Sequence, residues 1–205
     1  NDQPVEALAY QVVKYQQRDG WSNRDVLRLA HPIPHNDDTH IRNSLYKWIV
    51  DGWDELVKAE PQEGFVQPPF IVVAFEIAKT ADNKRLIQLI SNNGLSREMV
   101  PTESLKHPEV WEALLEKMPP HALLRNLGNL SKVGLLKPLS DASSLVVKKL
   151  SDVDSLKRKR VHPVSVQVAL KIYAQGHGMK GDGKWTPVPA VVDALNEAFY
   201  GCFDG

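Results

Sequence analysis

The sequence has one cysteine, no net charge and no long hydrophobic run, and each of these absences narrows what the protein can be. Cys202 has no second cysteine to pair with, so an internal disulfide is excluded and nothing requires an oxidising compartment. No apolar stretch approaches the roughly 20 residues that a transmembrane helix needs. The first ten residues, NDQPVEALAY, lack the basic-then-apolar order of a signal peptide. We therefore expect a soluble, cytoplasmic protein with no membrane partner.

The zero net charge hides a strong local asymmetry. Lysine and arginine together number 25, as do aspartate and glutamate, so an anionic partner can be attracted only by a local patch. Residues 51–116 contain twelve acidic and six basic side chains, whereas residues 148–185 contain nine basic and three acidic ones. This asymmetry indicates a polyanion partner such as nucleic acid, and two unrelated solvated faces are the alternative.

The sequence contains no catalytic or metal-binding motif that predicts an enzyme. Residues 176–181, GHGMKG, follow a helical segment rather than a strand, so they predict a helix end and a loop instead of a dinucleotide site. His31, His35 and His40 lie near Asp37–Asp38, but the intervening prolines prevent the helical spacing that would direct two histidines at one metal ion. We expect no enzyme activity, no metal and no other cofactor.

Almost every segment has the periodicity of an amphipathic helix. In the first one, apolar residues recur from Val5 to Val13 at intervals of three and four. Prolines occur where helices are predicted to begin, at Pro68, Pro108, Pro120, Pro163 and Pro189. The Asp-Gly pairs at 19–20 and 51–52 are predicted to end helices. The prediction is an all-α fold without a sheet, an α-solenoid of stacked antiparallel helix pairs forming one domain over residues 1–205.

Basic residues recur on one side of the first predicted helix. Lys14 and Arg18 are one helical turn apart and lie opposite the apolar face, so they are predicted to project together into solvent. Gly20 is predicted to end this helix.

The second predicted helix also directs basic groups outward. Ser22, with Asp25 three residues later, has the pattern of a capping box at its start. Arg24, Arg28 and His31 fall within a narrow arc opposite an apolar side formed by Val26, Leu29 and Ala30. His31 ends the helix, where the helix dipole favours its protonated form.

A second group of basic residues lies in the C-terminal third. Lys157, Arg158, Lys159 and Arg160 are consecutive and therefore cannot share one helical face. Such a cluster suits a phosphate backbone, for which charge matters more than geometry, and a solvated helix end is the alternative. Lys180 and Lys184, in and after the glycine-rich loop, are further candidates for contacting phosphate.

The stretch VVKYQQRDGWSNRDVLRLAH resembles the Ro ribonucleoprotein autoantigen family, in its TROVE module. The resemblance continues through HPEVWEALLEKMPPHALLRNLGNL and KRKRVHPVSVQVALKIYAQGHGMKGDGKWTPVPAVVDALNEAFY. It implies HEAT-like helical repeats that form part of a ring. It also implies that small structured noncoding RNAs, the Y RNAs, bind the outer surface and that single-stranded 3′ ends of misfolded RNAs enter the central hole.

The resemblance assigns Y RNA contact to Lys14, Arg18 and His31, and Arg24 and Arg28 are added from the helical geometry. Lys157–Arg160 with Lys180 and Lys184 are hypothesised to form a second phosphate-binding surface nearer the family's channel. The expected protein is a ribonucleoprotein scaffold in small-RNA stabilisation and RNA quality control, and a helical-repeat protein–protein interaction scaffold is the alternative. In a longer parent, the resemblance implies an N-terminal part of the ring and a C-terminal von Willebrand A-type domain outside this chain.

Overall fold

The computed structural model describes residues 4–18, 20–33, 39–58, 67–179 and 183–203, and for Gln17 and Arg18 it describes the backbone. Two compact units, residues 1–101 and 102–205, divide the chain. The first unit contains helices α1 (Val5–Lys14), α2 (Asn23–Ala30), α3 (Thr39–Asp51), α4 (Trp53–Lys58), α5 (Phe70–Ala78) and α6 (Asn83–Asn93), and a 3-10 turn at Arg97–Met99. The second contains a 3-10 turn at Ser104–Lys106 and helices α7 (Pro108–Lys117), α8 (Pro120–Lys132), α9 (Asp141–Ser151), α10 (Val153–Arg158), α11 (Pro163–Ala174) and α12 (Pro189–Phe203).

The all-α prediction is confirmed, with one small exception in the first unit. Strands β1 (Gln17–Arg18) and β2 (Trp21–Ser22) pair in antiparallel fashion, with Arg18 opposite Trp21. Gly20, between the strands, has a φ of +85°, which glycine adopts without steric cost. Apart from this hairpin the prediction of a fold without a sheet is confirmed, whereas the prediction that the first Asp-Gly pair ends a helix was wrong, because α1 ends at Lys14. Two-residue strands are too short to show the alternation that predicts a hairpin.

Most of the other predicted helix boundaries are confirmed. Pro108, Pro120, Pro163 and Pro189 are the first residues of α7, α8, α11 and α12, whereas Pro68 lies two residues before α5. The second Asp-Gly pair does end a helix, because α3 stops at Asp51 and Gly52 has a φ of +87°. Among the described residues, no helix is both long enough and apolar enough to cross a membrane.

The first unit is built around α5. Helix α1 packs against α5 and buries Ala9 and Val13, while α5 contributes the buried side chains of Val72 and Ala78. Because α1 is fixed to this core, its last turn, which carries Lys14, is held in place.

The second unit is organised around Tyr173, a buried residue of α11. Its hydroxyl forms a hydrogen bond with the Ser131 hydroxyl of α8 at 2.8 Å and accepts one from the backbone N–H of Val188 at 3.2 Å. The indole N–H of Trp185 donates to the Tyr173 carbonyl at 3.0 Å. Trp185 packs so closely on Gly128 that a Cβ there would lie 2.7 Å from the ring. These contacts fix the residues before α12 against α8 and α11.

Candidate functional site

Lys14 is the last residue of α1 and is half-buried. Its ammonium nitrogen lies 5.8 Å from the ring centroid of Tyr10 and 5.4 Å from that of Tyr15. Both distances are within the range of cation–π attraction. The two rings therefore restrict a side chain that would otherwise be mobile, and they hold its charge at the end of α1.

The prediction that Lys14 and Arg18 share one helical face was wrong, because α1 ends at Lys14. Tyr15 leaves the helical conformation with φ −119° and ψ 54°, and the chain then enters the hairpin. Arg18 lies in β1, opposite Trp21. Gln17 and Arg18 therefore pair with the second strand instead of extending α1 by a further turn.

The hairpin brings the start of α2 against the last turn of α1. The backbone N–H of Asn23 donates to the Gln16 carbonyl at 3.2 Å, and its side-chain amide donates to the Val12 carbonyl at 2.8 Å. Arg24, the second residue of α2, is consequently close to the end of α1, where Lys14 lies. The two hydrogen bonds of Asn23 thus place the start of α2 beside the end of α1, and a shared surface of the basic residues of the two helices stays a prediction.

The capping box predicted at the start of α2 is confirmed. The Ser22 hydroxyl donates to the Asp25 carboxylate at 2.6 Å and accepts from its backbone N–H at 3.2 Å, while the Ser22 N–H donates to the same carboxylate at 3.0 Å. These hydrogen bonds, and then the charges of Arg28 and Arg24, hold the pKa of Asp25 below its usual value. Both arginines are exposed and lie one turn apart.

His31 is exposed and follows the last residue of α2, but it does not continue the arc of Arg24 and Arg28. Its φ of 41° and ψ of 53° place it in the left-handed conformation, while its N–H still donates to the Leu27 carbonyl at 3.0 Å. Since α2 rises about 1.5 Å per residue, His31 lies roughly 12 Å along the helix from Asn23. Only Arg24 and Arg28 therefore share the predicted arc, and His31 lies beyond it, at the end of α2.

The side of α2 that the sequence assigns to the core is exposed. No residue of α2 is buried, and 52% of Val26 and 70% of Leu29 are accessible to solvent. Trp21, opposite Arg18 in the hairpin, is 57% exposed. Sequence reasoning missed these apolar and aromatic neighbours of the basic residues. The signal that could have revealed Trp21 is its position next to a glycine, outside any helical periodicity.

The second basic cluster is placed at the end of a helix. Lys157 and Arg158 end α10, and Lys159 and Arg160 follow, all four of them exposed. Arg160 has a φ of +55°, so the chain turns away from the helix and spreads the four charges over more than one direction. Lys180 lies outside the described residues, and Lys184 is exposed in an isolated bridge with His177.

A groove between α8 and α11 separates Lys159 from Lys184. The groove has a volume of about 490 Å³ and includes His121, Arg125 and Trp185 in its lining. At one end the His121 ring forms a hydrogen bond with the Lys159 carbonyl at 3.1 Å, and at the other Trp185 rests on Gly128, about 10 Å further along α8. Neither α8 nor α11 contains an aspartate or glutamate, so neither helix carries a side chain that would repel an anionic ligand.

The described part of the chain contains neither a cluster of metal ligands nor a thiol with a lowered pKa. There, no three histidine, cysteine, aspartate or glutamate side chains cluster as metal ligands would. His35, Asp37 and Asp38 lie outside the described residues. Cys202 is half-buried, and this burial raises the pKa of its thiol, which disfavours the reactive thiolate.

Comparison with known proteins identifies the family. The model of the TROVE domain matches residues 1–93 and, in a second match, residues 88–172. The chain is 40% identical to the RNA-binding protein RO60 of Deinococcus radiodurans over 95% of its own length, and 31% identical to the RNA-binding protein RO60 of Caenorhabditis elegans over 97%. The crystal structure of the Deinococcus radiodurans RO (RSR) protein superposes on 98% of the chain with a TM-score of 0.77 and 37% identity.

The chain is much shorter than these relatives. It covers 35% of the Deinococcus protein, 36% of the Caenorhabditis protein and 39% of the chain in the crystal structure. The family model nevertheless matches well over half of the residues present, and the helical fold agrees with that of the solved relative. The chain belongs to the TROVE domain family.

Proposed function

We propose that this chain binds RNA and that a structured small noncoding RNA of the Y type lies on the surface formed by Lys14, Arg18, Arg24, Arg28 and His31, the α1–α2 surface. The observation that carries the proposal is the double attachment of Asn23 to Gln16 and Val12, which brings the basic start of α2 against the end of α1. The names of the two curated relatives, both RNA-binding proteins, support the same ligand class.

The chemistry of this surface suits a folded RNA. Arg24 and Arg28 present two guanidinium groups one turn apart, which is appropriate for successive phosphates of a backbone. The exposed indole of Trp21 offers a face on which an unpaired base can stack. His31, when protonated, donates from both ring nitrogens. In this proposal the two arginines position the RNA backbone, and Trp21 and His31 add selectivity for particular RNAs.

The second unit is proposed to bind single-stranded RNA, including 3′ ends of misfolded RNAs. Lys157–Arg160 lie at one end of the groove between α8 and α11, and Lys184, beside Trp185, lies at the other, with Lys180 as a further candidate. The absence of carboxylates from α8 and α11 means that a strand crossing the groove meets no acidic side chain from either helix.

In this proposal the chain is a ribonucleoprotein scaffold that acts in the cytoplasm, in small-RNA stabilisation and RNA quality control, without catalysis of its own. Helical repeats support such a role because they offer extended surfaces rather than one deep catalytic cleft.

The proposal is tested by crosslinking the protein to RNA in its native host and sequencing what copurifies. We expect small structured noncoding RNAs to be enriched over a matched preparation of the Lys14→Ala/Arg18→Ala variant. Recovery of the same RNAs, in the same amounts, with both proteins would contradict the α1–α2 surface as the binding site.

A protein partner is the second candidate for the same surface, and the exposed Val26 and Leu29 are the observation that favours it. The substitutions Val26→Ser and Leu29→Ser separate the two functions. Under the RNA proposal they leave RNA affinity within about twofold, whereas a protein scaffold would lose its partner with them.

A further inference from the structure

A cavity of about 340 Å³ lies in the first unit, beside the α1–α2 surface. Gln16 and Arg24 line it from the side of the hairpin and α2, Trp53 lines it from the start of α4, and Glu76 and Lys79 line it from the end of α5. Its volume is in the range of small-ligand pockets. Since Arg24 also belongs to the α1–α2 surface, a ligand on that surface has direct access to the cavity.

Glu76 gives the cavity a buried acceptor. Its side chain is 7% exposed, one carboxylate oxygen accepts the indole N–H of Trp48 at 2.8 Å, and the other accepts the ammonium of Lys79 at 2.6 Å. A carboxylate has about four acceptor positions, so each oxygen can accept one further hydrogen bond. A ligand in the cavity that presents two adjacent N–H donors would meet both.

The other groups that line the cavity suit a nucleotide. Trp53 is half-buried, so one part of its indole is available for stacking against a planar ring. Arg24 and Lys79 are exposed cations and can contact the phosphates on either side of an inserted base. The cavity therefore combines a stacking surface, a buried acceptor pair and positive charge.

We propose that this cavity binds one unpaired guanine of the RNA that lies on the α1–α2 surface. Guanine presents N1–H and the N2 amino group side by side, and these two donors match the two oxygens of the Glu76 carboxylate. Adenine, cytosine and uracil each place at least one acceptor atom on the same edge, which the carboxylate would repel. This inference rests on the proposed function and adds a base preference to it.

The test uses the full chain labelled with ¹⁵N at its tryptophan indoles and four trinucleotides, UGU, UIU (I, inosine), UAU and UUU. We expect UGU to shift the indole N–H signals of Trp48 and Trp53 and to bind at least about fivefold more tightly than UAU or UUU, the lower end of the discrimination given by a two-bond base contact. Inosine lacks the N2 amino group and should bind with intermediate affinity. The signal of Trp111, buried in the other unit, should not shift and reports that the second unit stays folded.

A paired set of variants assigns the preference to Glu76. Glu76→Gln keeps an acceptor oxygen for Trp48 but replaces the other acceptor by an amide donor, so the preference for UGU over UAU should disappear. Glu55→Gln, which alters an exposed carboxylate of α4 that pairs with Lys58 at 2.8 Å, should retain it.

Equal affinity for the four trinucleotides, a guanine preference that survives Glu76→Gln, or shifts confined to Trp185 would each overturn the proposal. Binding of a folded RNA hairpin, measured on the same preparations, separates this failure from failure of the proposed function. If the RNA hairpin still binds but the trinucleotides show no guanine preference, the guanine pocket is excluded. The α1–α2 surface then remains the proposed binding site.

Discussion

The side-chain amide of Asn23 donates a hydrogen bond to the backbone carbonyl of Val12 at 2.8 Å, and this bond joins the start of α2 to the last turn of α1. Arg24 is the next residue, and Lys14 is two residues beyond Val12. An uncharged side chain therefore links the helix that ends at Lys14 to the helix that carries Arg24.

Removing this bond should weaken RNA binding without changing any charge. We expect Asn23→Ala to lower the free energy of unfolding by about 0.5–1.5 kcal/mol, the usual net contribution of one hydrogen bond, and to reduce affinity for a folded RNA. Urea denaturation and equilibrium binding measure the two effects. Asn92→Ala, at an exposed position of α6, is the matched control. Unchanged RNA affinity in Asn23→Ala would show that the attachment does not organise the surface.

The capping box predicts how α2 responds to acid. The Ser22 hydrogen bonds depress the pKa of Asp25 in the folded protein, so their stabilisation is present above the ordinary aspartate pKa of about 3.9 and is lost as pH falls through the lower folded value. Ser22→Ala removes the hydroxyl donor and should raise the pKa of Asp25 toward its ordinary value. A carboxyl ¹³C titration measures this change, and identical titration curves for the two proteins would contradict the assigned cause.

Much of the fold follows from local sequence rules, because helix boundaries depend on neighbouring residues. Prolines mark the first residues of α7, α8, α11 and α12, and Ser22 with Asp25 marks the start of α2. Local rules do not predict the β-hairpin, because a glycine with a positive φ occurs both at helix ends and in β-turns. Which use Gly20 serves depends on the pairing of Arg18 with Trp21, a contact that no helical periodicity encodes.

The candidate site was predicted in part. The basic residues of α2 are exposed as the helical pattern indicates, but the same pattern assigned Val26 and Leu29 to a core that does not cover them. Periodicity tells which side of a helix is apolar and not whether another element packs on it. The cavity beside Glu76 depends on helices α3, α4 and α5 meeting near the hairpin, which is a property of tertiary packing.

His31 should contribute to binding of a folded RNA, because its exposed ring lies at the end of α2 and can donate a hydrogen bond to a phosphate oxygen. His31→Ser should weaken binding while the circular dichroism spectrum stays helical. His40→Ser, at an exposed position of α3, is the control and should leave the affinity unchanged. Equal affinities of the wild-type protein and His31→Ser would exclude His31 from the interface.

The second unit should distinguish single-stranded from folded RNA. Replacing Lys157–Arg160 and Lys184 by alanine removes charge at both ends of the groove, so binding of a single-stranded oligonucleotide should weaken more than binding of a folded hairpin. Filter binding at fixed salt compares the two ligands. Equal losses for both, or no loss, would count against a separate single-strand site.

The α1–α2 surface is tested most directly by the affinity of a folded small RNA for the Lys14→Ala/Arg18→Ala variant, measured at equilibrium and fixed salt. Charge-assisted hydrogen bonds contribute about 1.5–3 kcal/mol each and are not fully additive, so we expect a loss of about 2–4 kcal/mol. That loss corresponds to a roughly 30- to 1,000-fold higher Kd. Lys47→Ala/Lys84→Ala removes the same charge from exposed positions of α3 and α6 and should change Kd by less than about threefold. Equal affinities of the wild-type protein and the Lys14→Ala/Arg18→Ala variant would contradict the account.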